Sequence, residues 1–242
     1  METKFKPWKE KESPKRILAI RYQAMGDVVI TLPYLLDLKG NYPEATLHFL
    51  TRREDSAVPS SLLLFDKVIS VRGGRNVKLQ FAFTLLLLPY LWLQSYDVVL
   101  DLQNSRISRI LRKLLAPKAW CEFDRRSPVL AGERTRHAID AVQLTPVVIN
   151  TQFHFQSSNE AVLDKMRGAG WDGQSKIVVL NPAGTFPSRS WPLNYYIEFA
   201  RQWLAEMPVQ FMVLGLTSLQ PKAKTLREQL GNSLVDFCLR QL

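Results

Sequence analysis

Short apolar runs of strand length alternate with longer stretches of helical spacing along almost the whole chain, and this alternation limits the fold more than any other feature. RILAIR (16–21) is a β-rich run. VVITLPYLLDLKG after it has helical spacing, with Pro33 early in it. ATLHFLT (45–51), KVISV (67–71) and DVVLDL (97–102) read as further strands. SRISRILRKLLA (105–116) places Ile107, Ile110, Leu111, Leu114 and Leu115 on one face, the pattern of an amphipathic helix, and AWCEFD (119–124) reads as a fifth strand. This order predicts an α/β fold with a parallel, doubly wound sheet. Strands of such sheets are covered on both faces, so their runs are apolar throughout rather than alternating.

TPVVINTQFHFQSS (145–158) interrupts the pattern and predicts a domain boundary near residue 150. A second series follows: a helix in SNEAVLDKMRGAGW, strands at 176–182, 209–215 and 233–237, and helices at 193–206 and 221–231. Three strands are fewer than a nucleotide-binding α/β domain usually holds. The expected organisation is a basic N-terminal arm over 1–15, an N-terminal domain over 16–150, and a partial C-terminal domain over 151–242. The second domain is expected to be incomplete, through truncation or because a partner completes it.

With 46% hydrophobic and 22% charged residues among 242, the chain is too apolar for a disordered one. Its 11 Gly and 14 Pro exclude a collagen or low-complexity reading. Two cysteines, Cys121 and Cys238, exclude a disulfide scaffold and point to a reducing compartment. His48, His137 and His154 show no close Cys/His spacing, which argues against structural zinc. The start, METKFKPWKEKESPKR, is basic but lacks the apolar core of a secretory signal. It reads as a loosely held arm on a cytoplasmic protein.

No charge falls between Lys78 and Asp97. That window sits at the short limit for a membrane span, contains Gln80, Pro89, Gln94 and Ser95, and runs almost directly into DVVLDL. It therefore reads as a helix packed on a sheet rather than a span; a helix leaning on a bilayer surface is the third reading. Of the net +10 charge, residues 1–16 hold +3 and residues 106–136 hold +6. Such a patch attracts nucleic acid, anionic lipid or a phosphorylated substrate; a solvated helix face is the plain alternative.

Ligands of open α/β sheets bind beyond the carboxyl ends of the strands, and two strand-to-helix loops meet that rule. Tyr22-Gln23-Ala24-Met25-Gly26-Asp27 lacks a dinucleotide fingerprint, and no Walker A sequence occurs anywhere. Gly26 would permit a sharp turn or a close ligand approach. Asp27 is either a helix N-cap or a general base facing a cleft. The second loop, NPAGTFPSRSWP (181–192), offers Gly184, Thr185 and Ser188 as small polar contacts and Arg189 as a permanent cation before a helix N-terminus, a combination suited to a diphosphate. Equally, it is a Pro- and Ser-rich turn with Arg189 solvated. Arg52 and Arg53 follow the second strand and either meet an anionic acceptor or are surface charges. His137 could face the cleft; His48 reads as core or edge. The absence of a D-x-D pair disfavours metal-dependent transfer, and the absence of G-x-S-x-G argues against an α/β-hydrolase.

IRYQAMGDVVITLPYLLDLKGNYPEATLHFLT resembles the opening of the ADP-heptose:lipopolysaccharide heptosyltransferases: a strand, a loop ending in Gly-Asp, a helix with Thr and Pro, then Tyr-Pro before the next strand. DVVLDLQNSRISR resembles the family's strand ending in Asp-x-Gln, and NPAGTFPSRSWPLNYYIEFARQW resembles its donor-side loop. The resemblance implies a GT-B fold, two Rossmann-like domains facing across a cleft, and an inverting, metal-independent glycosyl transfer with no cofactor beyond the nucleotide-sugar donor, ADP-heptose. It assigns the base to Asp27, next to Gly26, and the donor diphosphate to Thr185 and Arg189, where relatives commonly carry Lys. The acceptor would be a phosphorylated lipid-linked saccharide at the inner face of the inner membrane, with no nucleic acid partner. The family's later Asp-x-Gly-x-x-His segment has no counterpart before Leu242, and Leu216-Thr217-Ser218-Leu219 supplies no carboxylate for a ribose. The competing expectations are a catalytically inactive acceptor-binding remnant and a basic polyanion-binding α/β protein.

Overall fold

The computed structural model describes residues 4–184, 190–215 and 217–238. The chain divides into two compact units, Met1–Gln156 and Ser157–Leu242. The first contains β1 (Phe5–Lys6), β2 (Arg16–Ile20), α1 (Met25–Asn41), β3 (Thr46–Arg52), α2 (Ala57–Ser60), β4 (Lys67–Val71), α3 (Val77–Leu86), α4 (Leu88–Leu93), β5 (Val98–Asp101), α5 (Arg106–Leu115), β6 (Ala119–Glu122) and α6 (Ala131–Asp140). Its sheet has the order β1-β6-β5-β2-β3-β4. Every pairing is parallel except that of β1 with β6. The chain moves outward from β2 to β3 and β4, then returns to lay β5 on the other side of β2. The direction of winding therefore reverses between β2 and β5, which opens a crevice at their carboxyl ends.

Successive residues of one strand point to opposite faces, and both faces are covered. Ile17 and Ala19 of β2 join Phe49, Val98 and Leu100 beneath Val28, Leu32 and Leu35 of α1 and Ala138 and Ile139 of α6. Leu18 and Ile20 join Leu50 and Val99 beneath Leu88 and Leu91 of α4 and Ile107 and Leu111 of α5. Each buried Val, Leu, Ile or Phe among them contributes about 1.5–3 kcal/mol, and this double burial explains why RILAI is apolar at four successive positions. α1 continues through Pro33, whose missing N–H frees the carbonyl of Val29, a residue on the exposed side of the helix. Gly132 of α6 lies so close to α1 that a Cβ there would come within 2.9 Å of the Tyr34 hydroxyl.

Two expectations are corrected. The N-terminal segment is not loosely held. Phe5 and Lys6 pair with Cys121 and Trp120 as an antiparallel edge strand, the Trp8 amide donates to the Val142 carbonyl at 2.7 Å, and the Trp8 indole donates to the Glu12 carbonyl at 3.0 Å. The uncharged window is not one helix. It breaks into α3 and α4 around Leu87, where Pro89 cannot donate to the ladder. Among the described residues, no helix is long and apolar enough to cross a membrane.

The second unit contains α7 (Asn159–Gly168), β7 (Lys176–Leu180), α8 (Leu193–Glu206), β8 (Val209–Gly215), α9 (Gln220–Leu230) and β9 (Leu234–Cys238). Its strands run parallel in the order β7-β8-β9. Phe211 and Val213 of the central strand pack with Ala200, Ala223, Leu226 and Leu230. Cys121 and Cys238 are both buried free thiols.

Candidate active site

Asp27 is the third residue of α1, and Ala24 is the N-cap. The simple N-cap reading of Asp27 is thus corrected. Ala24 has no side-chain oxygen, so only half of a capping box forms, with the Ala24 amide donating to Asp27 Oδ2 at a long 3.4 Å. The stronger partner is Arg21, just past the end of β2, whose Nη2 stands 2.7 Å from Asp27 Oδ2. Arg21 is buried and also donates through Nη1 to the Leu102 carbonyl. Asp27 keeps 43% of its side chain open to solvent. The carboxylate is thus held from behind and accessible in front.

Three neighbouring segments complete the site. Gln103, one residue pair beyond β5, accepts the Gln23 amide on Oε1 at 3.0 Å and so ties the β5 loop to the β2 loop. Phe123 follows β6, and two guanidiniums lie against its ring, Arg21 at 4.9 Å and Arg134 of α6 at 5.2 Å from the ring centre. Arg134 also donates to the carbonyls of Asp124 and Arg125 at 3.4 and 3.3 Å. Arg21, Gln23, Ala24, Asp27, Gln103, Phe123, Arg125, Ala131 and Arg134 enclose a cavity of about 320 Å³ at the β2–β5 crevice.

Three guanidiniums share this cavity with one carboxylate. Burial lowers the pKa of Arg21; Asp27 opposes the shift, and the charges of Arg125 and Arg134 add to it. Nε of Arg21 and Nε of Arg134 are buried without a hydrogen-bond partner. Three cations crowded around one carboxylate form an environment that favours a further anion.

Behind the cavity, Asp101 at the end of β5 accepts the Asn104 amide at 2.7 Å. Asn104 in turn donates to the Phe123 carbonyl at 2.8 Å, which fixes the spacing of the β5 and β6 loops. Burial pushes the Asp101 carboxyl up to about 6. Arg112 of α5 pairs with Glu122 of β6, both buried, and lies 3.6 Å from the Trp120 ring centre.

Gly26 lies within the first turn of α1, does not adopt a positive φ, and has nothing within 4 Å of where its Cβ would stand. Its contribution is open space beside Asp27 rather than a sharp turn. Arg52 is neither a surface charge nor free to meet an acceptor. It is buried, binds Asp55 Oδ2 through Nε and Nη2 at 3.0 and 2.8 Å, and reaches the Tyr22 carbonyl at 3.2 Å. It holds the strand ends of β2 and β3 together. Arg53 is exposed. His48 is a core residue, 2.7 Å from the Tyr96 hydroxyl. His137 sits on α6 beside Arg136 and Glu133 and does not line the cavity.

In the second unit, Gly184 ends the described part of the loop after β7, and a Cβ there would collide with the Ser190 side chain. The loop is braced by Tyr196 donating to the Asn181 carbonyl at 2.8 Å and Lys222 donating to the Pro182 carbonyl at 2.7 Å. Thr185, Ser188 and Arg189 lie outside the described residues.

The basic segment 106–136 is not a uniform solvated face. Arg112 is buried, Arg136 pairs with Glu133 and Asp140, and Lys118 pairs with Asp97, while Arg125 and Arg134 line the cavity. In the sequence, Arg21 stands only as the end of a strand run, Gln103 as part of Asp-x-Gln, and Arg125 and Arg134 as members of the basic segment 106–136; none is marked as a neighbour of Asp27. The available signal was their common place just after strands β2, β5 and β6, or one helix beyond.

No family model matches the chain, and no curated protein matches it in sequence. Solved structures do. A glycosyl transferase family 9 protein from Veillonella parvula DSM 2008 superposes with a TM-score of 0.74 at 15% identity, covering 93% of this chain and 69% of that one. E. coli ADP-heptose lipopolysaccharide heptosyltransferase II gives 0.66 at 17% identity, covering 93% and 72%. The chain has the heptosyltransferase fold. E. coli heptosyltransferase WaaC, in a structure with ADP-2-deoxy-2-fluoro heptose, gives 0.65 at 19% identity, covering 94% and 76%. The heptosyltransferase fold is an α/β, GT-B-like one, and the two parallel-sheet units described above are its counterparts here.

Proposed function

We propose that the chain is an inverting, metal-independent glycosyltransferase that moves a heptose from ADP-heptose to a phosphorylated, lipid-linked saccharide of the lipopolysaccharide core. The observation that carries this reading is the Asp27 carboxylate, half-open to solvent at the sheet's switch point and held from behind by buried Arg21. Two solved structures of similar fold are named as heptosyltransferases, one of them with an ADP-heptose analogue.

In this reading, Asp27 accepts the proton of an acceptor hydroxyl. The oxygen forms a bond to the anomeric carbon as the bond from that carbon to the ADP oxygen breaks, and ADP leaves with the electron pair. Arg21 keeps the carboxylate aimed into the cavity through two other anchors, the Leu102 carbonyl and the Phe123 ring. Gln103 sets the width of the crevice. Arg125 and Arg134 hold an anionic group of the acceptor, which the crowding of three cations around one carboxylate favours. Thr185 and Arg189, with Gly184 and Ser188, take the departing diphosphate; this part rests on the sequence resemblance.

Calorimetric titration with ADP, followed by a transfer assay with ADP-heptose and a phosphorylated core acceptor, tests the proposal. ADP binding, together with turnover that falls at least about 100-fold in Asp27→Asn without a change in the circular dichroism spectrum, supports it. Turnover unchanged in Asp27→Asn overturns the base assignment, and acceptor binding without ADP binding supports an inactive acceptor-binding protein instead.

A further inference from the structure

The outward side of α3 and α4 carries apolar side chains that nothing in the first unit covers. Leu86 and Leu93 are 73% and 78% exposed, Trp92 is 51% exposed, and Val77, Leu79 and Leu85 are exposed with them. The inward side of the same helices is accounted for by the packing of Leu88 and Leu91 against Ile107 and Leu111. The Trp92 indole donates to the Leu114 carbonyl of α5 at 2.9 Å. Its polar atom is thus satisfied within the protein while half its surface stays open. Single exposed leucines are ordinary on a protein surface, whereas a contiguous group marks a contact.

The charges carried by these helices and by α5 all have one sign. No acidic residue occurs from Val77 to Tyr96 or within α5. α5 packs beside α3 and α4 and presents Arg106, Arg109 and Lys113, all exposed, at a spacing that places them on one side of the helix. Among the described residues none of these three enters an ion pair; of the carboxylates flanking these helices in sequence, Asp97 pairs with Lys118, Glu122 pairs with Arg112, and Asp101 is fully buried.

We propose that the face formed by α3, α4 and α5 rests on an anionic lipid bilayer. Leucines and a tryptophan enter the boundary between headgroups and acyl chains, and the three cations of α5 meet lipid phosphates. The break at Pro89 and the short helices make this a surface contact and not a span. The charge pattern favours lipid over a protein partner, since a bilayer supplies negative charge across the whole face and asks for no matching carboxylate in return. The inference stands on its own and does not depend on the transfer reaction.

Co-sedimentation of the full chain with vesicles tests it, comparing phosphatidylcholine alone with equal parts phosphatidylcholine and phosphatidylglycerol. Binding to the anionic vesicles that weakens with added salt is expected. The double variant Leu86→Glu, Leu93→Glu should weaken it at least about tenfold, and Arg106→Gln, Arg109→Gln, Lys113→Gln on the order of 100-fold. Should a variant fail to fold, quenching of tryptophan fluorescence by brominated acyl chains decides, with Trp92→Phe removing the quenched component. No binding to anionic vesicles overturns the proposal. So does binding indifferent to both variants, or a dimer in solution that Leu86→Glu, Leu93→Glu dissolves, which would place a second copy of the chain on this face.

Discussion

Arg21 and Asp27 form a 2.7 Å pair whose two ends lie in different media: the guanidinium is buried and the carboxylate half-solvated. An exposed partner keeps the pair's contribution to stability near 1 kcal/mol or less, so its main effect is directional. Arg21→Met is expected to lower kcat more than it raises KM, because the base loses its aim while the acceptor keeps its other contacts. Arg21→Lys should recover part of kcat, since an ammonium can reach Asp27 but cannot also hold the Leu102 carbonyl and stack on Phe123. Steady-state kinetics of both variants check this.

Asp27→Asn retains the size and one acceptor oxygen but no proton-accepting charge. Its kcat is expected to fall by about 100- to 10,000-fold, with the thermal midpoint within a few degrees of wild type. Transfer assays beside a thermal melt measure both.

Arg125 is exposed at the cavity rim, whereas Arg134 is braced by Phe123 and two carbonyls. Arg125→Ala should therefore raise KM for a phosphorylated acceptor and flatten its dependence on ionic strength without loss of stability. Arg134→Ala should do the same and also destabilise the β6 loop. An acceptor stripped of phosphate should be indifferent to Arg125→Ala.

The Arg112–Glu122 pair is buried at both ends. Removing one member leaves an uncompensated charge in the core, so Arg112→Met is expected to lose about 3–5 kcal/mol in urea denaturation. The double variant Arg112→Met, Glu122→Gln should regain much of it.

Asp101 carries a carboxyl raised to about 6 by burial. The native chain therefore holds that proton more tightly than the unfolded chain. The contribution is present below the unfolded value near 3.8 and is lost as pH rises through about 6. Relative to Asp101→Asn, wild type should lose stability between pH 4 and 7, by roughly 3 kcal/mol at most. Urea midpoints of both proteins across that range provide the measurement.

Much of the first unit was legible because a parallel sheet covered on both faces leaves a distinctive mark: RILAI, DVVLDL and their kin have no polar side to hide. The short strand Phe5–Lys6 left no such mark, since two residues on a sheet edge have no period to detect. The burial of Arg52 was not legible: its ion-pair partner Asp55 is only three residues away, but the Tyr22 and Gly74 carbonyls that draw it inward are far along the chain. Asp27 was visible through its place after a strand. The arginines around it were not, because Arg21, Arg125 and Arg134 converge only once three strand ends are laid side by side.

The pairing of Phe5 and Lys6 with β6 has a practical consequence. Those two residues cover the outer hydrogen-bonding row of the four-residue strand β6, and a chain trimmed of them would present that row bare to its neighbours in solution. Shortening the N-terminus, or burdening it with a bulky fusion, should therefore show up first as sticking between molecules, and only later as unfolding.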